Sequence, residues 1–238
     1  MTVSTGSLYW RGFRNGLPFI LVIVPFGLLF GVVATEAGLP ISQVMGFSVI
    51  VIAGAAQFAA VQLMQSHAPT LIVIATALAI NLRMAMYSAS MVPHLGAAPL
   101  WQRALISYMM LDQTYATSIM EFERVPDLTS RQKVVYYVGA ASPIVLPWYL
   151  ATWAGATVGT AIPSSYALDF AIPITFLAMI APMLRTLPQV AAALVSITLS
   201  LIFSGLPYNL GLLLAAPCAM ITGAQTERWQ MRRRAQWI

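Results

Sequence analysis

The sequence is poor in charged residues, which excludes an ordinary soluble globular fold. Only 8% of its 238 residues are charged and 59% are hydrophobic, whereas soluble domains carry about 25% charged residues. No acidic or basic residue occurs in 37–82, 134–168 or 186–226. Each stretch exceeds the ~20 apolar residues that a helix needs to span a bilayer. The composition therefore predicts an all-α protein, a polytopic transmembrane helical bundle.

Residues that build cofactor and catalytic sites are also scarce. A single cysteine, Cys218, excludes an internal disulfide framework, and His67 and His94 stand apart without the spacing of metal ligands. The sequence contains no HExxH or GxSxG motif and no phosphate-binding loop. We therefore predict no metal, no other cofactor and no enzymatic activity.

The net charge of +5 does not indicate nucleic-acid binding. The basic residues cluster at the ends of predicted helices, where the orientation of a membrane protein requires them. Residues 1–16 form a short polar leader without the cleavage site of a signal peptide.

Eight apolar segments can be distinguished along the chain. They run over 17–35, 44–64, 70–91, 103–120, 134–158, 166–184, 190–203 and 206–222. With the N-terminus inside, eight crossings place nearly all basic residues in the cytoplasm, so we expect a multi-pass protein of the cytoplasmic (inner) membrane with both termini inside. Arg103 at an outer end and Arg83 within a segment are the exceptions. Six crossings would give the same parity, and the seventh segment is short enough to be re-entrant or broken.

The charged stretch Glu121–Lys133 divides this single transport domain into halves, 1–120 and 134–238. The stretches that begin at Gly38 and Ala161 are weakly similar, which predicts a two-fold internal repeat of the kind found in transporters. The aligned pairs are Pro40 with Pro163, Ser42 with Ser165 and Phe47 with Phe170. Chance similarity of two loop–helix junctions is the alternative. Four crossings per half would make the repeats parallel.

Arg83 is an unexpected cation in the third apolar segment. An arginine near the centre of a membrane helix costs about 2.5–3.5 kcal/mol on insertion scales. One interpretation is that its guanidinium reaches the outer interface, because Arg83 lies nearer that end of the segment. The other is an internal cation that pairs with an acidic residue or a substrate carboxylate. Tyr87 shares its helical face, whereas Asn81 lies about 160° away.

Asp112 lies near the middle of the fourth segment. Tyr108 and Tyr115 share its helical face by i, i+4 and i+3 spacing. A carboxylate between hydroxyls can bind an ammonium group or take up a proton. A static ion pair with Arg83 is the alternative, and it would still place both charges inside the bundle.

Three further residues are candidates for the solute pathway. Gln57 is an amide in an apolar segment that needs hydrogen-bond partners, so it either ties two helices together or faces a polar cavity. Phe58 can accept an aliphatic side chain. Asp169 opens the sixth segment, where it either stabilises the helix N-terminus or takes part in function.

Prolines inside two segments predict kinks or breaks. Pro143 and Pro147 lie in the fifth segment, and Pro173 and Pro182 lie in the sixth. Broken membrane helices expose backbone groups, which is tolerated only around a cavity lined by protein.

An ordered series of motifs resembles the AzlC family of branched-chain amino acid permeases. The motifs are "PFGLLFGVVATEAGL" (Pro25 to Leu39), "AGAAQFAAVQL" (Ala53 to Leu63), "NLRMAMYSASMVPHL" (Asn81 to Leu95), "LDQTYA" (Leu111 to Ala116), "YYVGAASPIVLPWYLATWAGATVG" (Tyr136 to Gly159) and "LDFAIPITFLAMIAPML" (Leu168 to Leu184). Family members often carry Asp-Glu where this chain has Asp112-Gln113, which puts a second carboxylate in doubt.

The resemblance implies export of branched-chain amino acids across the cytoplasmic membrane, together with a small AzlD-type membrane subunit. We therefore expect a secondary transporter for small hydrophobic amino acids, embedded in membrane lipid. A membrane scaffold or sensor subunit that transports nothing is the alternative.

Overall fold

The computed structural model describes residues 5–159, 184, 186–206 and 210–235, and within these ranges all regular structure is helical. The prediction of an all-α bundle is confirmed. The helices are α1 (Thr5–Gly16), a 3₁₀ turn (Leu17–Phe19), α2 (Ile20–Glu36), α3 (Ile41–Ile50), α4 (Gly54–Gln65), α5 (Thr70–Leu95), α6 (Leu100–Tyr108), α7 (Asp112–Arg124), α8 (Ser130–Gly159), α9 (Leu187–Ile202) and α10 (Leu210–Ala235).

The chain forms two compact units. The first combines Met1–Gln62 with Ile80–Leu168, and the second combines Leu63–Ala79 with Asp169–Ile238. Among the described residues, three helical stretches are long and apolar enough to cross a bilayer: Gly6–Glu36, Thr70–Leu95 and Ser130–Gly159.

Two parallel helical stretches form the spine of the first unit. α1 and α2 run alongside α8 with facing residues 124 positions apart, as with Gly16 and Ala140 or Gly31 and Gly155. The backbones approach so closely that a Cβ atom on Gly31 would overlap the backbone at Thr152, and one on Gly155 would overlap the backbone at Leu28. Small residues allow this close approach where hydrophobicity cannot drive helix association.

The α3–α4 hairpin replaces the single helix predicted over 44–64. α3 begins shortly after α2 ends, and its Ser48 hydrogen-bonds Thr152 in α8. Beyond a break at 51–53, the Phe58 ring of α4 lies 4.9 Å from Phe26 and 5.4 Å from Phe30. Gly54, one turn earlier, lies against Phe26. α4 thus runs parallel to α2, and the chain turns back inside the unit.

The α6–α7 hairpin likewise replaces the single crossing predicted over 103–120. α7 runs parallel to α5, because successive residues of α7 contact successive residues of α5. Asp112 contacts Arg83, Tyr115 contacts Tyr87 and Phe122 contacts His94. α6 runs back along the last turns of α5, and a break at 109–111 separates it from α7. After α7 the chain is therefore back beside the C-terminal end of α5. There the Lys133 ammonium lies 3.3 Å from His94 Nδ1.

The two prolines of the fifth segment do not break their helix. α8 continues through Pro143 and Pro147, and α2 continues through Pro25. The breaks at 51–53 and 109–111 contain no proline. The first includes Ile52, whose φ of +44° is unusual for a branched side chain.

In the second unit, α9 and α10 pack against each other as an antiparallel pair, with Gly223 beside Ala192. They correspond to the predicted seventh and eighth segments. The sixth segment, with Asp169, Pro173 and Pro182, lies outside the described residues. The second copy of the predicted repeat lies there too, so the repeat and its two halves stay a prediction.

Candidate functional site

An ion pair forms the centre of the candidate site. The Arg83 guanidinium Nη1 lies 2.9 Å from the Asp112 carboxylate Oδ2. Each side chain is more than a third exposed, 37% for Arg83 and 39% for Asp112. Asp112 Oδ1 and Arg83 Nε are buried, and neither has a hydrogen-bond partner among the described residues. The pair therefore retains one acceptor and one donor that are unsatisfied and buried, while other atoms of both side chains are exposed.

Arg83 lies near the middle of α5 rather than near its outer end. The helix runs without interruption over Thr70–Leu95, so Arg83 is about 18 Å from either terminus at 1.5 Å per residue. A guanidinium at this depth needs a counter-ion, and Asp112 supplies it. The ion pair supports the interpretation of an internal cation, and the interpretation that Arg83 reaches the interface stays a prediction.

Two stacked tyrosines continue the site toward the end of α5. The rings of Tyr87 and Tyr115 are 4.2 Å apart and nearly parallel, at 11°. The Tyr115 hydroxyl donates to Ser90 at 3.0 Å. The stack holds α7 against α5 and thereby fixes the position of Asp112.

Asp112 owes its position to the break in the helix. It is the first residue of α7, and an acidic group in the first turn stabilises the positive end of the helix dipole. The prediction that Tyr108 shares a helical face with Asp112 and Tyr115 is wrong, because Tyr108 is the last residue of α6. An acidic residue is a known signal for a helix N-terminus, and it could have revealed this break.

Tyr108 instead joins the two broken hairpins. Its hydroxyl donates to the backbone carbonyl of Val49, near the end of α3, and lies 2.6 Å from the Tyr149 hydroxyl of α8. The carbonyl of Ile106 accepts from Tyr137 at 2.9 Å. Broken helices leave their last carbonyls without intrahelical donors, and tyrosines satisfy these two.

Gln57 ties helices together and does not face the ion pair. It is fully buried. Its amide nitrogen donates to Ser48 at 3.3 Å, Ser48 donates to Thr152 at 3.2 Å, and its carbonyl accepts from the Ala53 N–H at 3.2 Å. The network connects α3, α4 and α8, so the first of the two interpretations of Gln57 holds.

The remaining candidates are Phe58, Asn81 and Asp169. Phe58 is buried against Phe26 and Phe30. Asn81 has a buried carbonyl oxygen without a hydrogen-bond partner among the described residues. Asp169 lies outside the described part of the chain.

A cavity of about 330 Å³ lies between α5 and α6. Its lining includes Ser88, Leu95, Arg103, Ser107 and Met110. Ser88 neighbours Tyr87 along the chain, and Met110 precedes Asp112 by two residues. The cavity therefore lies beside α6, and Arg83 and Asp112 are not among its lining residues.

The sequence interpretation missed a second ion pair in the same unit. Glu121 is only 4% exposed and pairs with Arg11 of α1 and, at 2.8 Å, with Arg124. The sequence pattern assigns these basic residues to topology alone. Glu121 three positions before Arg124 was the available signal.

Comparison with known proteins places the chain in a family. A model of the family described as "AzlC protein" matches residues 18–162. The chain belongs to the AzlC family. The AzlC match covers α2 to α8, and with them both hairpins and the Arg83–Asp112 pair.

Relatives of this AzlC protein extend over most of its length. The inner membrane protein YgaZ of Escherichia coli (strain K12) is 23% identical over 237 residues, covering 94% of this chain and 93% of the relative. An uncharacterized membrane protein of Archaeoglobus fulgidus is 26% identical over 191 residues, covering 77% and 80%. One of Helicobacter pylori is 24% identical over 112 residues, covering 45% and 49%. No solved structure matches. The AzlC family and these relatives identify the chain as a transporter-like membrane protein.

Proposed function

We propose that this AzlC protein is a secondary transporter that exports branched-chain or other hydrophobic amino acids across the cytoplasmic membrane. The observation that carries the proposal is the Arg83–Asp112 ion pair at the start of a broken helix. A charged pair near the middle of a membrane helix is costly, and such groups mark solute and ion pathways. Half-helices that meet inside the membrane are the usual binding elements of secondary transporters.

In the proposed mechanism Asp112 receives the positive group. Its carboxylate accepts the substrate ammonium or a coupling proton, while Arg83 balances the carboxylate charge when neither is bound. The Tyr87–Tyr115 stack beside it presents aromatic faces, which attract cations. The substrate approaches through the cavity between α5 and α6, from the C-terminal end of α5.

The arrangement of basic residues supports an orientation with both termini cytoplasmic. Arg11 and Arg124 share one ion-pair cluster, and Lys133 lies at the same end of the first unit beside Phe122. A basic end of this kind faces the cytoplasm. We further propose that a small AzlD-type membrane subunit completes the transporter.

The test is leucine flux in proteoliposomes with purified protein, with and without a small AzlD-type subunit. Arg83→Gln and Asp112→Asn should each lower flux at least about tenfold, which corresponds to about 1.4 kcal/mol. Glu123→Gln, at an exposed position of the same helix, is the matched control. Unchanged flux in both site variants would overturn the site assignment.

A membrane scaffold or sensor is the second candidate. It would give no flux of any amino acid with or without the subunit. A panel of amino acids in the same vesicles separates the two and identifies the preferred substrate.

A further inference from the structure

Arg103 of α6 lines the cavity between α5 and α6. Within the part of the chain that the structure describes, its side chain forms no ion pair and no hydrogen bond. By contrast, Asp112 compensates Arg83, and Glu121 compensates Arg124. The donors of Arg103 are thus available to an anionic ligand, and a planar guanidinium binds a carboxylate through two parallel hydrogen bonds.

The rest of the cavity wall suits a small aliphatic group. The buried residues of the lining are all apolar: Met91, Leu95, Ile106 and Met110. The exposed part of the lining includes the hydroxyl-bearing residues Ser88 and Ser107. The volume of about 330 Å³ lies within the range of about 300–1,000 Å³ that is usual for ligand pockets. An apolar wall beside a guanidinium fits a molecule that joins an aliphatic side chain to a carboxylate.

The path of the α6–α7 hairpin puts Arg103 near the C-terminal end of α5. α6 begins at Leu100, shortly after α5 ends at Leu95. The lining reaches from Gly96 at this end to Ser88, which lies about 12 Å farther along the chain axis at 1.5 Å per residue. In the proposed orientation this end faces the cytoplasm, so Arg103 is no longer an exception among the basic residues. The cavity therefore extends inward from the cytoplasmic end of α5.

We propose that this cavity is the loading site for the exported amino acid, and that Arg103 binds the α-carboxylate while the apolar wall holds the side chain. Arg83 is the less suitable partner, because Asp112 already compensates its charge. The inference rests on the proposed function and adds a position that holds the substrate before it reaches Asp112. Met110 links the two positions, because it lines the cavity and precedes Asp112 by two residues.

Binding at this site can be measured without transport, by protection of a cysteine in the cavity. In a Cys218→Ser background, Ala104→Cys places a thiol on an exposed lining residue, where an impermeant maleimide should react from the cytoplasmic side. Leucine at about ten times its dissociation constant should slow this reaction about tenfold by occupying the site. Leucinol keeps the ammonium and the side chain but lacks the carboxylate, so it should protect much less. Ala97→Cys, which is exposed at the same end but does not line the cavity, is the matched control and should react equally with and without leucine.

Variants of Arg103 test the role of the guanidinium. Arg103→Gln should raise the leucine concentration for half-protection, and the KM for leucine flux in proteoliposomes, about tenfold, as expected for loss of a hydrogen bond between charged groups. The concentration of leucinol for half-protection should stay nearly unchanged. Arg103→Lys keeps the charge without the two-pronged donor geometry and should recover part of the loss. Arg131→Gln, at an exposed position of the same end, is the matched control and should behave as wild type.

The composition of the vesicles distinguishes the amino acid from a lipid headgroup, whose phosphate is also an anion for Arg103. Leucine should protect Ala104→Cys equally in phosphatidylcholine vesicles and in vesicles that contain phosphatidylglycerol. If the reaction rate follows the phosphatidylglycerol content and does not respond to leucine, a lipid occupies the cavity and the proposal is wrong.

The outcomes for the two proposals differ. If leucine protects Ala104→Cys through Arg103 but the vesicles carry no amino acid, the carboxylate site stands and the proposed function fails. Leucine flux without protection, or equal effects of Arg103→Gln on leucine and leucinol, would overturn the loading site alone. An unreactive Ala104→Cys beside a reactive Ala97→Cys would also overturn it, because the cavity would then be closed to the cytoplasm.

Discussion

The two broken hairpins share a backbone plan but differ in chemistry. The α3–α4 hairpin is held by a neutral, fully buried network of Ser48, Gln57 and Thr152. The α6–α7 hairpin instead carries a half-exposed ion pair at its break. One break is stabilised by satisfied amide and hydroxyl groups, whereas the other retains a free donor and a free acceptor.

We infer from this difference that the α3–α4 hairpin has a structural role and that the α6–α7 hairpin has a role in transport. A buried amide whose hydrogen bonds are formed makes the helices around it more rigid. A charged pair that is only partly satisfied is available for exchange with a solute. We therefore expect substitutions in the α3–α4 network to affect stability, and substitutions at the ion pair to affect transport as well.

The largest expected effect concerns the path of the chain. In a Cys218→Ser background, cysteines at Ala97 and Asp127 should both react with an impermeant maleimide from the cytoplasmic side. Ala97 precedes the α6–α7 hairpin and Asp127 follows it, and the hairpin begins and ends on the same side of the membrane. A cysteine at Ser42 should react only from the opposite side. All three positions are exposed. Labelling of Ala97 and Asp127 from opposite sides would show that 103–120 crosses the membrane.

The next effect is the cost of a single unpaired charge. Asp112→Asn leaves Arg83 without its counter-ion and should lower stability by about 1–3 kcal/mol. This is less than the ~3–5 kcal/mol of a fully buried pair, because both side chains are partly exposed. Arg83→Gln combined with Asp112→Asn should recover most of the stability but not the flux. Thermal unfolding in detergent measures this, and equal losses in the single and double variants would show that the two charges are not coupled.

Gln57 provides the complementary test on the neutral hairpin. Gln57→Leu leaves the Ala53 N–H unpaired in a buried site, which should cost about 1–3 kcal/mol. Leucine flux per folded molecule should stay within about twofold of wild type. Gln43→Leu, at an exposed position of α3, should leave stability unchanged. A strong loss of flux in well-folded Gln57→Leu would erase the distinction between the hairpins.

The smallest effects concern tyrosine hydroxyls. Tyr108→Phe removes the donor to the Val49 carbonyl at the junction of the hairpins and should cost about 0.5–1.5 kcal/mol. Tyr115→Phe keeps the ring stack and loses only a bond to exposed Ser90, so its cost should be about 0.5 kcal/mol or less. The same unfolding assay ranks them, and a reversed order would mean that Tyr108 does not support the junction.

Much of the fold follows from hydropathy, because lipid requires long apolar helices. The apolar segments predicted over 70–91 and 134–158 correspond to the spans Thr70–Leu95 and Ser130–Gly159. The cost of an isolated charge in lipid also led to Asp112 as the counter-ion of Arg83. These inferences succeed because solvation in lipid acts on composition and needs no knowledge of the packing.

The hairpins were not predictable by the same argument. An apolar stretch that turns back halfway has the same hydropathy as one that crosses the membrane. The prolines predicted a kink or break in α8, but α8 is continuous. The breaks depend on tertiary contacts, such as Tyr108 on the Val49 carbonyl and Tyr137 on the Ile106 carbonyl.

The close contact of α2 with α8 also limits how the protein can move. At Gly31 and Gly155 the two backbones touch directly, with no flexible side chains between them to absorb sliding or rotation. Close-packed interfaces of this kind rearrange in discrete steps or not at all. We expect the spine to behave as a stator, the fixed part of a machine, while the α6–α7 hairpin moves relative to it.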